Sequence, residues 1–170
     1  MGPAKQHTPD EIEYRPILPA DEPFLERLYA STRADEMAVV PWGEAEKAKF
    51  LSQQFHAQHT FYQQQFGDAE FLVIERRGES IGRLYLDRRV DEHRLIDIAL
   101  LPSERGKGLG GALMRDVLAE AEAAGKAVRI HVERNNPAMR LYDRLGFRNI
   151  EDQGPYYLME WRPAFLAPPG

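Results

Sequence analysis

The sequence predicts one mixed α/β domain, a largely antiparallel sheet with one parallel βαβ crossover. Three observations lead there. FLVIE (71–75) and IGRLYLD (81–87) are strand-like runs flanking a turn near Gly78, which reads as a β-hairpin. RLIDIALL (94–101), a helical pattern over 108–124 and VRIHV (128–132) follow as strand, helix and strand, and such a unit lays its strands parallel. FRNIED and YYLMEW then form a second strand pair. The 170 residues suit a single domain, taken as 12–162, with flexible termini at 1–11 and 163–170.

Along the chain, Ile12 to Leu18 reads as a short strand, and Pro16 places it at a sheet edge because proline cannot donate to a ladder. Asp21 is the expected cap of a helix whose Phe24, Leu25, Leu28 and Tyr29 recur at helical spacing. PWG at 41–43 breaks the chain before a second helix striped with Leu51, Phe55, Tyr62 and Phe66. The helix after residue 108 carries Leu109, Leu113, Val117, Leu118 and Ala121 on one face and closes at Gly125. A last helix is expected after Asn136 and Pro137, with Ala138, Leu141, Tyr142 and Leu145 on one face and Gly146 past its end.

Composition excludes several function classes. With no cysteine, the chain has no disulfide, thiolate metal site or cysteine-borne acyl group. His56 and His59 lack a zinc-binding arrangement, so no metal is expected. A net charge of −5 argues against nucleic acid or anionic lipid as partner. No apolar run approaches membrane-spanning length, and the first residues lack a secretory pattern, so the expectation is a cytoplasmic protein.

The most informative stretch is LPSERGKGLGGALM (101–114), with glycines at 106, 108, 110 and 111. Glycine inside a helix loses roughly 1 kcal/mol against alanine, so a ligand requiring bare backbone is the natural reason for four. Amides in a first helical turn lack intrahelical partners and carry partial positive charge. Without side chains they can approach phosphate oxygens directly, and Arg105 and Lys107 add charge beside them. Gly106, Gly108 and Gly111 satisfy the dinucleotide fingerprint, with Glu133 at a fitting distance, but PSER intervenes after the strand and only one crossover is found.

Arg105, Gly108 and Gly110 also fit Arg-x-x-Gly-x-Gly, and NNPAMRLYDRLGF (135–147) fits NxxAxxLYxxxGF. Together with the opening EYRPILPADEPFLERLY, these segments resemble the GNAT superfamily of N-acetyltransferases over about residues 12–162. The resemblance implies an acetyl-CoA cosubstrate lying where the two parallel strands splay apart, with an amine entering from the other side. It implies that the backbone of Leu100 and Leu101 pairs with the pantetheine arm and that an N–H there faces the thioester carbonyl. It further implies that the amides from Arg105 through Gly106, Lys107, Gly108, Leu109 and Gly110 hold the pyrophosphate. Asn135 fits the motif spacing, while Asn136 better suits a helix cap.

For the chemistry, Tyr142 is the candidate acid for the leaving thiolate, although its face pattern also suits a core tyrosine. Asp97, within an apolar strand, is a candidate base that points away from the face of Ile96, Ile98 and Leu100; a buried structural role is an equal reading. Arg83, Tyr85, His131, Glu133 and His59 stand near the same region. Direct attack in a ternary complex is favoured, since no cysteine can carry the acetyl group. The acceptor is a small-molecule or protein amine, with residues 55–66 forming one wall of its pocket by analogy with the fold. A non-catalytic acyl-CoA-binding regulatory domain is the alternative. Homodimers are common for the implied fold, and the sequence leaves the oligomeric state open.

Overall fold

The computed structural model describes residues 2–166. Its strand-forming runs become β1 (Ile12–Pro16), β2 (Glu70–Arg76), β3 (Glu79–Arg88), β4 (Glu92–Leu100), β5 (Ala127–Glu133), β6 (Arg148–Gln153) and β7 (Tyr156–Trp161). They form one sheet in the order β1-β2-β3-β4-β5-β7-β6. β4 and β5 are parallel, and every other neighbouring pair is antiparallel. Five helices complete the fold: α1 (Glu22–Thr32), α2 (Ala34–Ala38), α3 (Glu44–Gln65), α4 (Leu109–Ala123) and α5 (Met139–Leu145). α2 was not expected from the sequence. No helix among the described residues is long and apolar enough to cross a membrane.

Two apolar clusters occupy the two faces of the sheet. Leu84, Leu95, Leu100, Val128, Ile130 and Val132 pack with Leu113, Val117 and Ala121 of α4 and Tyr142 of α5. On the opposite face, Leu25 and Leu28 of α1 and Phe55 of α3 pack on Val73, with Ala99 and Leu101 alongside. Burying an aliphatic side chain of this size contributes about 2 kcal/mol, so both layers are anchored by their apolar stripes. Gly82 is required in β3: a Cβ there would stand 2.4 Å from the Ala99 carbonyl oxygen of β4.

The register between β3 and β4 slips by one residue. Tyr85 faces Asp97, but Leu86 faces Leu95, so Ile96 is an extra residue on β4. Such a bulge bends the strand that carries it and interrupts pairing. Pairing with β5 stops at the same place, at Leu95 with Ile130. Beyond it, the ends of β4 and β5 have no ladder between them. The bulge also breaks the expected alternation. Leu95, Ile98 and Leu100 join the α4-side core, whereas Ile96 packs in neither cluster.

Two expectations around β1 and α1 are corrected. Asp21 does not cap α1 through its side chain; its carboxylate accepts from both Arg15 Nη atoms at 2.7 Å and from the Leu18 N–H. β1 accordingly ends at Pro16 rather than Leu18. The segment before residue 12, expected as a flexible tail, makes specific contacts. Asp116 of α4, 1% exposed, accepts from the backbone N–H groups of Gln6, His7 and Thr8 at 3.0, 2.7 and 3.1 Å. Of the tail expected at 163–170, residues 167–170 lie outside the described residues.

Asp116→Ala strands three buried or half-buried donors, each a bond to a charged group. Urea unfolding is expected to register a loss of about 3 kcal/mol; a change below about 0.5 kcal/mol would mean that the N-terminal segment is not held there.

Glu120 of α4 supplies an acid-sensitive tie. Burial works to raise its pKa from 4.5, but hydrogen bonds with His93 and Arg88 outweigh that and hold it at about 2. Its stabilisation is therefore present above pH 4.5 and is lost as pH falls toward 2. The difference in unfolding free energy between the protein and Glu120→Gln should shrink across that window; a constant difference would contradict the pairing.

Candidate active site

The opening between β4 and β5 organises the site. Leu101 N–H donates to Ile81 O of β3 at 2.8 Å. By alternation, the Leu100 N–H faces the other way, toward β5, where the ladder has ended. The two residues therefore differ. Leu101 is committed on both sides, its carbonyl accepting from Glu104 N–H at 2.9 Å, whereas Leu100 keeps an N–H toward the gap, as Ile98 does by the same alternation.

The glycine stretch forms a turn into α4. Gly106 and Gly108 have φ of 74° and 82°, left-handed values that a side chain would strain, and no atom lies within 4 Å of where a Cβ would stand on either. Gly108 precedes the first turn of α4 without a side-chain cap. Ala112 N–H reaches Gly108 O at 3.1 Å, and among the described residues no backbone acceptor meets the N–H groups of Gly106, Lys107, Gly108, Leu109, Gly110 or Gly111. The Arg105 amide differs, because it donates to Pro102 O at 3.2 Å. The run of free amides therefore begins one residue later than the resemblance implies and extends to Gly111.

Arg105 is also turned inward. Its Nε donates to Leu100 O at 2.9 Å and an Nη to Ser31 Oγ at 3.1 Å, so it braces the loop against β4 and α1. Lys107 is exposed and has no carboxylate partner among the described residues. Arg115, not singled out from the sequence, folds back one helical turn to lie 3.5 Å from the position of a Gly111 Cβ. Its spacing of four residues after Gly111 was the available signal.

Tyr142 lies on α5, 3% exposed, with its ring 5.6 Å from Phe147. Among the described residues no protein group bonds its hydroxyl, and burial, with the Asp97 charge adding, raises its pKa well above that of a free phenol. Asn136 Oδ1 accepts from Ala138 N–H at 2.8 Å and so shapes the turn into α5. Asn135 is exposed on the same turn.

Asp97 stands on the α1/α3 face, immediately after the bulge. Arg83 Nε donates to its Oδ2 at 2.5 Å, while another Arg83 nitrogen reaches Gln58 Oε1 of α3 at 2.9 Å. Arg83 is 3% exposed and lies 4.7 Å above the Tyr85 ring. Its Nη1 and the Tyr85 hydroxyl are enclosed without a protein partner. Replacing a buried ion pair by apolar side chains is often neutral for stability, so its presence points to a role in placing Asp97. His59 stacks on Phe55 at 5.3 Å, and burial lowers its pKa, as suits a neutral half-buried ring. His131 is exposed and meets Arg94 at 3.2 Å. Glu133 pairs with Arg33.

The site thus has two sides. Bare amides and Tyr142 lie with α4 and α5, and the Arg83–Asp97 pair lies under α3. Single βαβ topology rules out the repeated parallel architecture of a dinucleotide fold.

Comparison with known proteins gives the family and the fold. The model of the acetyltransferase (GNAT) family matches residues 25–147. The chain is 28% identical over 87 residues to the [ribosomal protein bS18]-alanine N-acetyltransferase of Haemophilus influenzae, covering 51% of this chain and 60% of that protein. It is 28% identical over 105 residues to an N-alpha-acetyltransferase of Sulfurisphaera tokodaii, covering 53% and 63%. The chain thus spans less than two thirds of these curated relatives. The PaiA N-acetyltransferase of Thermoplasma acidophilum, solved in complex with coenzyme A, superposes with a TM-score of 0.68 at 20% identity over 89% of this chain and 99% of that one. At that identity the likeness concerns the fold.

Gly108→Ala should cost about 1–2 kcal/mol through its left-handed φ; unchanged stability in thermal unfolding would show that the turn relaxes freely.

Proposed function

The chain belongs to the acetyltransferase (GNAT) family, and on that premise we propose that it moves an acetyl group from acetyl-CoA to a primary amine by direct attack with both substrates bound. The observation that carries this reading is the run of unpartnered amides from Gly106 to Gly111 at the mouth of α4. Such a mouth suits a phosphate. Lys107 and Arg115 add formal charge beside it in a chain that is otherwise net acidic.

Bound acetyl-CoA would supply an activated thioester carbonyl. The chain's own groups then divide the remaining work. Leu100 N–H, aimed into the gap, donates to oxygen as negative charge develops there. Tyr142 keeps its proton at neutral pH, because burial opposes the phenolate, and can give that proton to a departing sulfur. Asp97 Oδ2 is fixed by Arg83, which leaves Oδ1 to accept an N–H of the incoming amine and aim its lone pair. In this reading Asp97 orients the amine; a water chain can carry the amine's proton away. Two of the relatives are named as a [ribosomal protein bS18]-alanine N-acetyltransferase and an N-alpha-acetyltransferase, which keeps a protein N-terminus among the acceptors to test.

Calorimetry should detect coenzyme A with a Kd in the micromolar range, about −8 kcal/mol, and no heat with NADH. Tyr142→Phe should lower kcat by about 100-fold while coenzyme A affinity stays within about twofold. An unchanged kcat would reduce Tyr142 to packing. Binding of coenzyme A without acetylation across an amine panel would favour the regulatory alternative.

A further inference from the structure

The transfer chemistry leaves two cavities without a task, and the smaller one holds an ion pair under an aromatic rim. That smaller cavity measures about 430 Å³ and lies among Arg33, Trp42, Phe50, Glu133 and Tyr156, where α1, α2 and α3 meet the ends of β5 and β7. Its floor is an ion pair: Arg33 donates to both carboxylate oxygens of Glu133 at 2.9 and 2.7 Å. The same guanidinium reaches Glu36 at 2.9 Å. Two carboxylates share one cation, so the triad keeps an excess negative charge. Hydrogen bonds from Arg33 lower the Glu133 pKa against the effect of burial, which keeps that carboxylate ionised. Trp42 and Tyr156 stand at the rim, 42% and 43% exposed, and the Trp42 ring meets Phe50 edge-on at 5.3 Å.

Aromatic faces beside excess carboxylate attract organic cations. The volume is that of a small-molecule site. The cavity also adjoins the reaction centre. Asp97 and Glu133 stand on the two lips of the opening, on the same sheet face. Arg83, on the same face, is matched by Asp97.

We infer that this cavity takes a second, protonated amine of the acceptor, and that the acceptor is a small aliphatic di- or polyamine. The inference rests on the N-acetyltransferase reading and adds the substrate class. A diamine gains at the cavity an attraction that a monoamine of equal length lacks.

The test compares kcat/KM for 1,4-diaminobutane with that for butylamine. The diamine should be preferred by about tenfold or more at low salt, and the preference should decline as salt screens the carboxylates. Glu133→Gln should bring the ratio close to unity with coenzyme A affinity retained. Trp42→Ala, at the exposed rim, should lower the ratio without touching the ion pair. Equal kcat/KM for the two amines, a ratio unmoved in both variants, or a clear preference for an alanine-terminated peptide would overturn the assignment while leaving the acetyltransferase reading intact. If no amine is acetylated although coenzyme A binds, both readings fall.

Discussion

The bulge at Ile96 is the constraint on which the site depends. A regular β4 would continue its ladder with β5 to the strand ends, and the Leu100 N–H would be spent on a backbone carbonyl. One extra residue bends β4 away just as its pairing with β5 ends at Leu95. The opening is therefore made by backbone, within a sheet that remains anchored on both faces by apolar packing. It leaves the Leu100 amide facing the gap, unpartnered by the sheet.

From that opening the two sides divide the chemistry. Gly106 to Gly111 give the α4 side bare amides, and Arg105 turns its charge inward to tie the loop to Leu100 O and Ser31. On the other face, Arg83 fixes Asp97, and Arg33 fixes Glu133. Each ion pair joins a helix-side element to a lip of the opening or braces that lip from within the sheet. Buried pairs of this kind contribute little net stability compared with apolar packing, so geometry is the better account of them.

Much of the architecture was legible in the sequence, because patterned runs and punctuation residues fixed it. The 71–75 and 81–87 runs pair as β2 and β3, and the turn between them carries Arg77 and Gly78 with positive φ. The glycines after Pro102 mark the mouth of α4, and Gly146 ends α5 with φ of 97°. What escaped was long-range. No local pattern distinguishes Ile96 from its neighbours, since a bulge is a relation between two strands. Asp21 has the appearance of a helix cap until Arg15 is placed beside it. Asp116 reads as an ordinary polar residue of α4 until residues 6–8 arrive from the far end of the chain. Arg105 and Glu133 stand out in the sequence, but their partners, Leu100 O and Arg33, could not be read from spacing.

The most direct measurement is amide hydrogen exchange resolved by residue, with and without coenzyme A. Cofactor seated in the opening and on the α4 mouth should slow exchange at Leu100 and from Gly108 to Gly111. Leu101, already bonded to Ile81, should change little. Protection confined to other segments, or equal protection of Leu100 and Leu101, would contradict the claim that the bulge frees the Leu100 amide for the cofactor.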